Sequence, residues 1–94
     1  MTSQTATLTT ERASTYLQQL CKHFAHKVEV EFTPTEGTIT LPFGACTLYA
    51  TETALTLTVT GEPEHLARME QVIGDHLTRF GFRESFTLDW QAAA

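Results

Sequence analysis

The residues best equipped for chemistry sit in one short string, CKHFAHK, which supplies Cys21, His23, His26 and Lys27. Thiol and imidazole side chains are metal ligands, so the string looks like a metal site on paper. Helix geometry sorts these residues. At about 100° per residue, Cys21 points about 160° away from His23 and about 140° away from His26. The thiol therefore turns to the core and the imidazoles do not, and no joint Cys–His site is expected unless the helix ends before His26. The two imidazoles, three residues apart, share a stripe with Arg12 and Gln19. Such a pair can share a metal ion, iron or another divalent metal, but a tight site needs a third or fourth donor. His76 or a carboxylate would have to supply it. His23 and His26 are therefore the candidate metal ligands. The plainer account is two imidazoles favoured by the negative end of a helix dipole.

A wider ligand-binding set joins His23, His26 and Lys27 to His76 and Arg79. His76 falls near the edge of a second helix's apolar stripe, beside Val72 and Phe80, where a hydrogen bond to a neighbour would satisfy its ring. Arg79, Arg83 and Glu84 could make an anion site with Lys27, but ion pairs with Glu84 and Asp75 are the preferred account, since a net acidic protein pairs its few arginines readily. Cys46 faces inward on a strand and reads as a small hydrophobe, and no disulfide to Cys21 is expected. There is no glycine-rich phosphate loop, no HExxH, no CxxC and no nucleophile elbow. No catalytic residue is assigned, and the chain reads as non-enzymatic rather than as an enzyme.

Two helices must position these groups. Residues 11–26 place Ala13, Tyr16, Leu17, Leu20, Cys21 and Phe24 at three- and four-residue steps, with Thr10 as N-cap and Glu11 at the positive end of the dipole. Residues 63–80 place Leu66, Met69, Val72, Ile73, Leu77 and Phe80 likewise. Pro63 suits the first turn, and Glu64–Arg68 and Asp75–Arg79 are acid-before-base pairs. Gly81 is the expected stop.

The rest alternates with period two. Val28, Val30 and Phe32, then Ile39 and Leu41, then Cys46 and Leu48, then Leu55, Leu57 and Val59 all interleave with polar residues. Ala6 and Leu8 form a short first strand, and Phe86, Leu88 and Trp90 a last one. Pro34–Gly37, Pro42-Phe43-Gly44 and Thr51–Thr53 mark the turns, with Gly44 free to take positive φ. Of 18 threonines only Thr15 and Thr78 fall in a helix, which suits one wet sheet face. The expected fold is α+β: a β-α-β-β-β-β-α-β order folded as two layers. An antiparallel sheet of five to six strands carries both helices on one face, a TBP-like topology by analogy.

Ninety-four residues make a single domain, 1–94, long enough for one core. Six basic residues against eleven acidic ones give a net charge of −5, which argues against nucleic acid and anionic membranes as partners. No apolar run approaches a membrane span, and the Thr-rich start lacks the features of a signal peptide. With two cysteines only, the cytoplasm is the expected compartment.

Beyond composition, the strings YLQQLCKHFAHKVEV, LPFGACTL, LTLTV and VIGDHLTRFGFRESFTLDW resemble the bacterial family of unknown function DUF2218 over roughly residues 3–91. The segments that carry the resemblance are Leu20–Lys27, Pro42-Phe43-Gly44 and His76–Phe80 with Arg83-Glu84. The family has no established activity. Some related domains accompany or are fused to siderophore-interacting flavin reductases. The resemblance therefore implies an accessory role in iron or siderophore metabolism, with such a reductase as partner and a small ligand or metal bound through the histidines. The alternatives are a homo-oligomeric interaction module, in its simplest form a homodimer through the Thr-rich face or an edge strand, and a small-molecule enzyme.

Overall fold

The computed structural model describes residues 2–80, 88 and 90–92, with the backbone alone at 78 and 80. The alternation in the sequence becomes strands β1 (Thr2–Thr9), β2 (Glu29–Phe32), β3 (Glu36–Leu41), β4 (Gly44–Ala50), β5 (Ala54–Gly61) and β6 (Gln91–Ala92). The two apolar stripes become helices α1 (Ala13–Phe24) and α2 (Pro63–Phe80). The sheet is antiparallel throughout, in the order β2-β3-β4-β5-β1-β6. The fold is thus α+β, as the periodicities imply.

Parity assigns each strand residue to a face. Ala6, Leu8, Ile39, Cys46, Leu48, Leu55, Leu57 and Val59 are buried and form one core with Leu17, Leu20 and Cys21 of α1 and Leu66, Met69, Ile73 and Leu77 of α2. Helix α1 lies over β2 to β5 and α2 over β5 and β1, so the two helices share one face of the sheet and touch each other.

Threonine hydroxyls set the two longer hairpin turns. Thr33 Oγ1 accepts the Thr35 and Glu36 N–H groups, and Thr51 Oγ1 accepts those of Thr53 and Ala54. Each hydroxyl thereby satisfies two backbone donors inside a turn too tight to pair them otherwise.

Several local expectations shift. Thr10 is not the N-cap of α1: Arg12 occupies that position and makes no side-chain cap. The Thr10 hydroxyl accepts the Arg12 N–H instead, and the Thr10 N–H donates to the Thr53 carbonyl, tying the helix entry to the β4–β5 turn. Glu11 precedes the helix, whose first turn holds no acidic residue. Helix α1 stops at Phe24, short of residue 26, because the Phe24 carbonyl takes the N–H groups of both Lys27 and Val28 and rolls residues 25–27 into a turn. In α2, Glu64 lies 3.7 Å from the adjacent His65, and the Arg68 guanidinium sits over the Phe43 ring at 5.8 Å. Among the described residues the two expected acid–base pairs do not form. Of the last expected strand, residues 86, 87 and 89 lie outside the described residues, as does the stop at Gly81. Leu88 and Trp90 pack on the core without pairing, and the pairing falls on Gln91–Ala92, against Gln4 and Thr5.

Gly44 serves close approach rather than a left-handed turn, since no described glycine has positive φ. It stands opposite Gly61 in the β4–β5 ladder, and a Cβ there would run into the Thr60 carbonyl and meet the Met69 thioether at 3.0 Å. Gly37, beneath α1, would press a Cβ on the Cys21 sulfur at 2.9 Å. A side-chain sulfur can yield more easily than a backbone carbonyl held in a sheet. Gly44→Ala is therefore expected to lower stability by about 1–3 kcal/mol, the usual range for overpacking, and by more than Gly37→Ala. Denaturant midpoints of the two variants check the order.

Candidate functional site

Both helices run their last turns toward the same end of the molecule, and their histidines meet there. His23 lies in the last turn of α1 and His76 one turn before the end of α2. Their ring centroids are 4.6 Å apart, tilted by 51°. Phe24 completes a three-ring cluster, 5.7 Å from His23 and 4.9 Å from His76. Phe24 is buried, while both histidines are partly exposed. The phenyl ring forms the inner wall and the imidazoles the outer one.

One hydrogen bond fixes the chemistry of His76. Its Nδ1 lies 2.7 Å from the Val72 carbonyl. A carbonyl only accepts, so Nδ1 carries the hydrogen, and in the neutral ring Nε2 holds the lone pair. Among the described residues Nε2 has no partner. It can accept a hydrogen bond, take a proton or bind a metal.

His23 is tuned by its surroundings. Burial, and then the positive charges of His76, Lys27, His26 and Arg79, hold its imidazole below the usual histidine range. Four groups able to carry positive charge thus bear on His23 in a chain whose net charge is −5. Lys27 and Arg79 are exposed, and neither makes an ion pair among the described residues.

The sequence-derived set is therefore mostly brought together. His23 and His76 are in contact, and His26, Lys27 and Arg79 lie within electrostatic reach. The helical stripe expected to align His23 with His26 is not the device that does it. With α1 ended at Phe24, His26 sits exposed in the following turn, and the partner that touches His23 is His76. Arg83 and Glu84 fall outside the described residues. The contribution of Phe24 was missed because its place in the helical stripe marks it as core, which it also is. Its position next to His23 was the available signal.

Two imidazoles make an incomplete metal centre. Among the described residues no group of three or more His, Cys, Asp or Glu side chains is placed to hold an ion, and a tight site needs that third donor. Among the described residues the donors near His23 and His76 do not make up a full metal centre. The thiols stand apart. Cys21 and Cys46 are buried and free, with burial pushing Cys21 up to about 11 and burial plus Cys21 pushing Cys46 up to about 12. Neither offers a thiolate near neutral pH.

These features define a two-layer α+β protein with six antiparallel strands and a basic, aromatic cluster where two helices end together. The chain belongs to DUF2218, uncharacterized proteins conserved in bacteria, and matches that family over residues 5–91. It is similar to PA4090 from Pseudomonas aeruginosa, whose NMR structure superposes with a TM-score of 0.82 at 38% identity, over 97% of this chain and 96% of that one. A comparison with curated proteins gives no match. Among the described residues no helix is long and apolar enough to cross a membrane.

Two outcomes follow from the tuned groups. The unfolded chain protonates His23 at the ordinary histidine value and the folded protein only at lower pH, so the unfolded state binds more protons between the two. Stability should therefore rise as pH climbs through that interval, and His23→Gln should flatten the rise; denaturation midpoints from pH 5 to 8 read this directly. Native protein at pH 8 should leave both thiols unreacted toward a disulfide reagent, with both reacting on unfolding.

Proposed function

We propose that this protein is a non-enzymatic binding domain that takes a small anionic ligand where α1 and α2 end together. The observation that carries this reading is the His23–His76 contact, set among Lys27, His26 and Arg79. Like charges gathered on one spot are unfavourable unless something opposite in sign relieves them, and an acidic ligand does so. Burial and the neighbouring positive groups shift His23 toward its neutral form. An arriving anion favours the proton on that ring and gains a charge-assisted hydrogen bond from it. The lone pair of His76 Nε2 can accept a ligand hydroxyl or take up a second proton. Arg79 and Lys27 supply fixed charge at the rim, and His26 adds to it.

An accessory role in iron or siderophore handling, which the family resemblance implies, is compatible with this chemistry. Ferric chelates of carboxylate and catecholate type carry net negative charge. They would be held whole, with the iron ligated by its chelator rather than by the protein, which suits a site where two imidazoles meet. In that role the protein would work in the cytoplasm beside a siderophore-interacting flavin reductase, presenting the chelate for reduction.

Gallium(III) citrate, a diamagnetic stand-in for ferric citrate, and citrate alone are suitable probes for NMR titration. Saturable shifts are expected at His23, Phe24, Lys27, His76 and Arg79, with the titration midpoint of His23 moving upward in the bound state. His23→Ala/His76→Ala should weaken binding at least about tenfold, a loss of about 1.4 kcal/mol. Absence of any saturable shift at these residues, with either probe, sinks the proposal.

A further inference from the structure

The helix-free face of the sheet presents a surface of different chemistry. Cross-strand register lines up Glu31, Thr38, Thr47, Thr58, Thr5 and Gln91 in one row across all six strands. In the neighbouring row Tyr49 stands between Glu36 on β3 and Thr56 on β5. Tyr49 is 52% exposed, an unusual position for a large ring with buried alternatives close by. Around it lies an open groove of about 370 Å³, rimmed by Glu36, Thr38, Thr47, Tyr49, Thr56 and Thr58.

The hydroxyls of this face fall into two groups. Toward β1 they satisfy one another: Ser3 with Thr60 at 2.8 Å and Thr5 with Thr58 at 3.0 Å. Around the groove the hydroxyls of Thr38, Thr47, Tyr49 and Thr56 have no protein partner among the described residues. Donors and acceptors are thus left open on three sides of an exposed aromatic ring.

We infer that this groove binds a neutral saccharide ring. Such a ring has an apolar C–H face that suits the flat side of a tyrosine, and a rim of hydroxyls that can pair with threonines and a carboxylate. The volume lies at the small end of the range for ligand sites, adequate for a ring of hexose size. Charge narrows the choice of occupant. Among the described residues Glu36 is the one carboxylate in the lining and no cation faces it, so the groove disfavours anions, in contrast to the histidine cluster. A second copy of the chain is also disfavoured. Pairing this face with itself would gather Glu29, Glu31 and Glu36 of both copies with no basic residue of the face to offset them.

The test is an amide-shift titration of the 15N-labelled protein with methyl β-glucoside and N-acetylglucosamine, with glycerol as a polyol lacking the ring. Saturable shifts at Gly37, Thr47, Tyr49 and Thr56 with a millimolar midpoint are expected for at least one sugar. Tyr49→Ala should reduce that affinity at least tenfold and Glu36→Gln should reduce it to a lesser degree, both with unchanged spectral dispersion elsewhere. His23→Ala/His76→Ala should leave it intact, which separates this site from the histidine cluster. Shifts no larger than those with glycerol overturn the inference. So do shifts of the same amides on simple dilution, which would assign the face to a second copy.

Discussion

Everything in this fold depends on two helices burying their apolar stripes against the same face of one sheet. Six strands at about 4.8 Å spacing are about 24 Å wide, and two helices of about 10 Å diameter lying side by side cover that width. The helices cannot avoid one another on such a surface. Their contact is what sets His23 against His76 and closes Phe24 behind them. The same arrangement leaves the opposite face without a cover, and the chain meets that exposure with hydroxyls rather than with a second apolar layer.

The two faces therefore differ in kind. On one, apolar burial brings imidazoles together at the seam between helices, where lysine and arginine add fixed charge. On the other, strand pairing spreads threonines in rows and leaves one tyrosine standing among them. A net acidic protein thus keeps a positive spot at the helix ends and an uncharged to acidic plane on its back. Position in the fold, more than composition, decides which ligand chemistry each surface offers.

Much of this was readable in the residues. Leu55, Leu57 and Val59 alternating with Thr56, Thr58 and Thr60 fix both the strand and which side of it is wet. The apolar steps of α2 mark its span from Pro63 to Phe80. What was not readable is what depends on neighbours distant in the chain. The stop of α1 at Phe24 depends on one carbonyl taking two later N–H groups, and no cap residue announces it. The role of Gly44 depends on Gly61 and Met69, seventeen and twenty-five residues away, so a turn-like sequence suggested positive φ where close packing is the need. The meeting of His23 with His76 links positions 53 residues apart, and helical spacing pointed to His26 instead.

The strand order also has a kinetic side. From β2 to β5 each strand pairs with the next through a loop of two or three residues, so these contacts close quickly and in register. Strand β1 is joined to this run of four through β5, as in Ser3 with Thr60 across 57 positions. A large share of the chain must be brought into order before that ladder rewards its closure. Contact order thus places the hairpin run early in folding and the docking of the N-terminal strand late. Strand β1, with threonine at four of its eight positions, is the one whose ladder closes last.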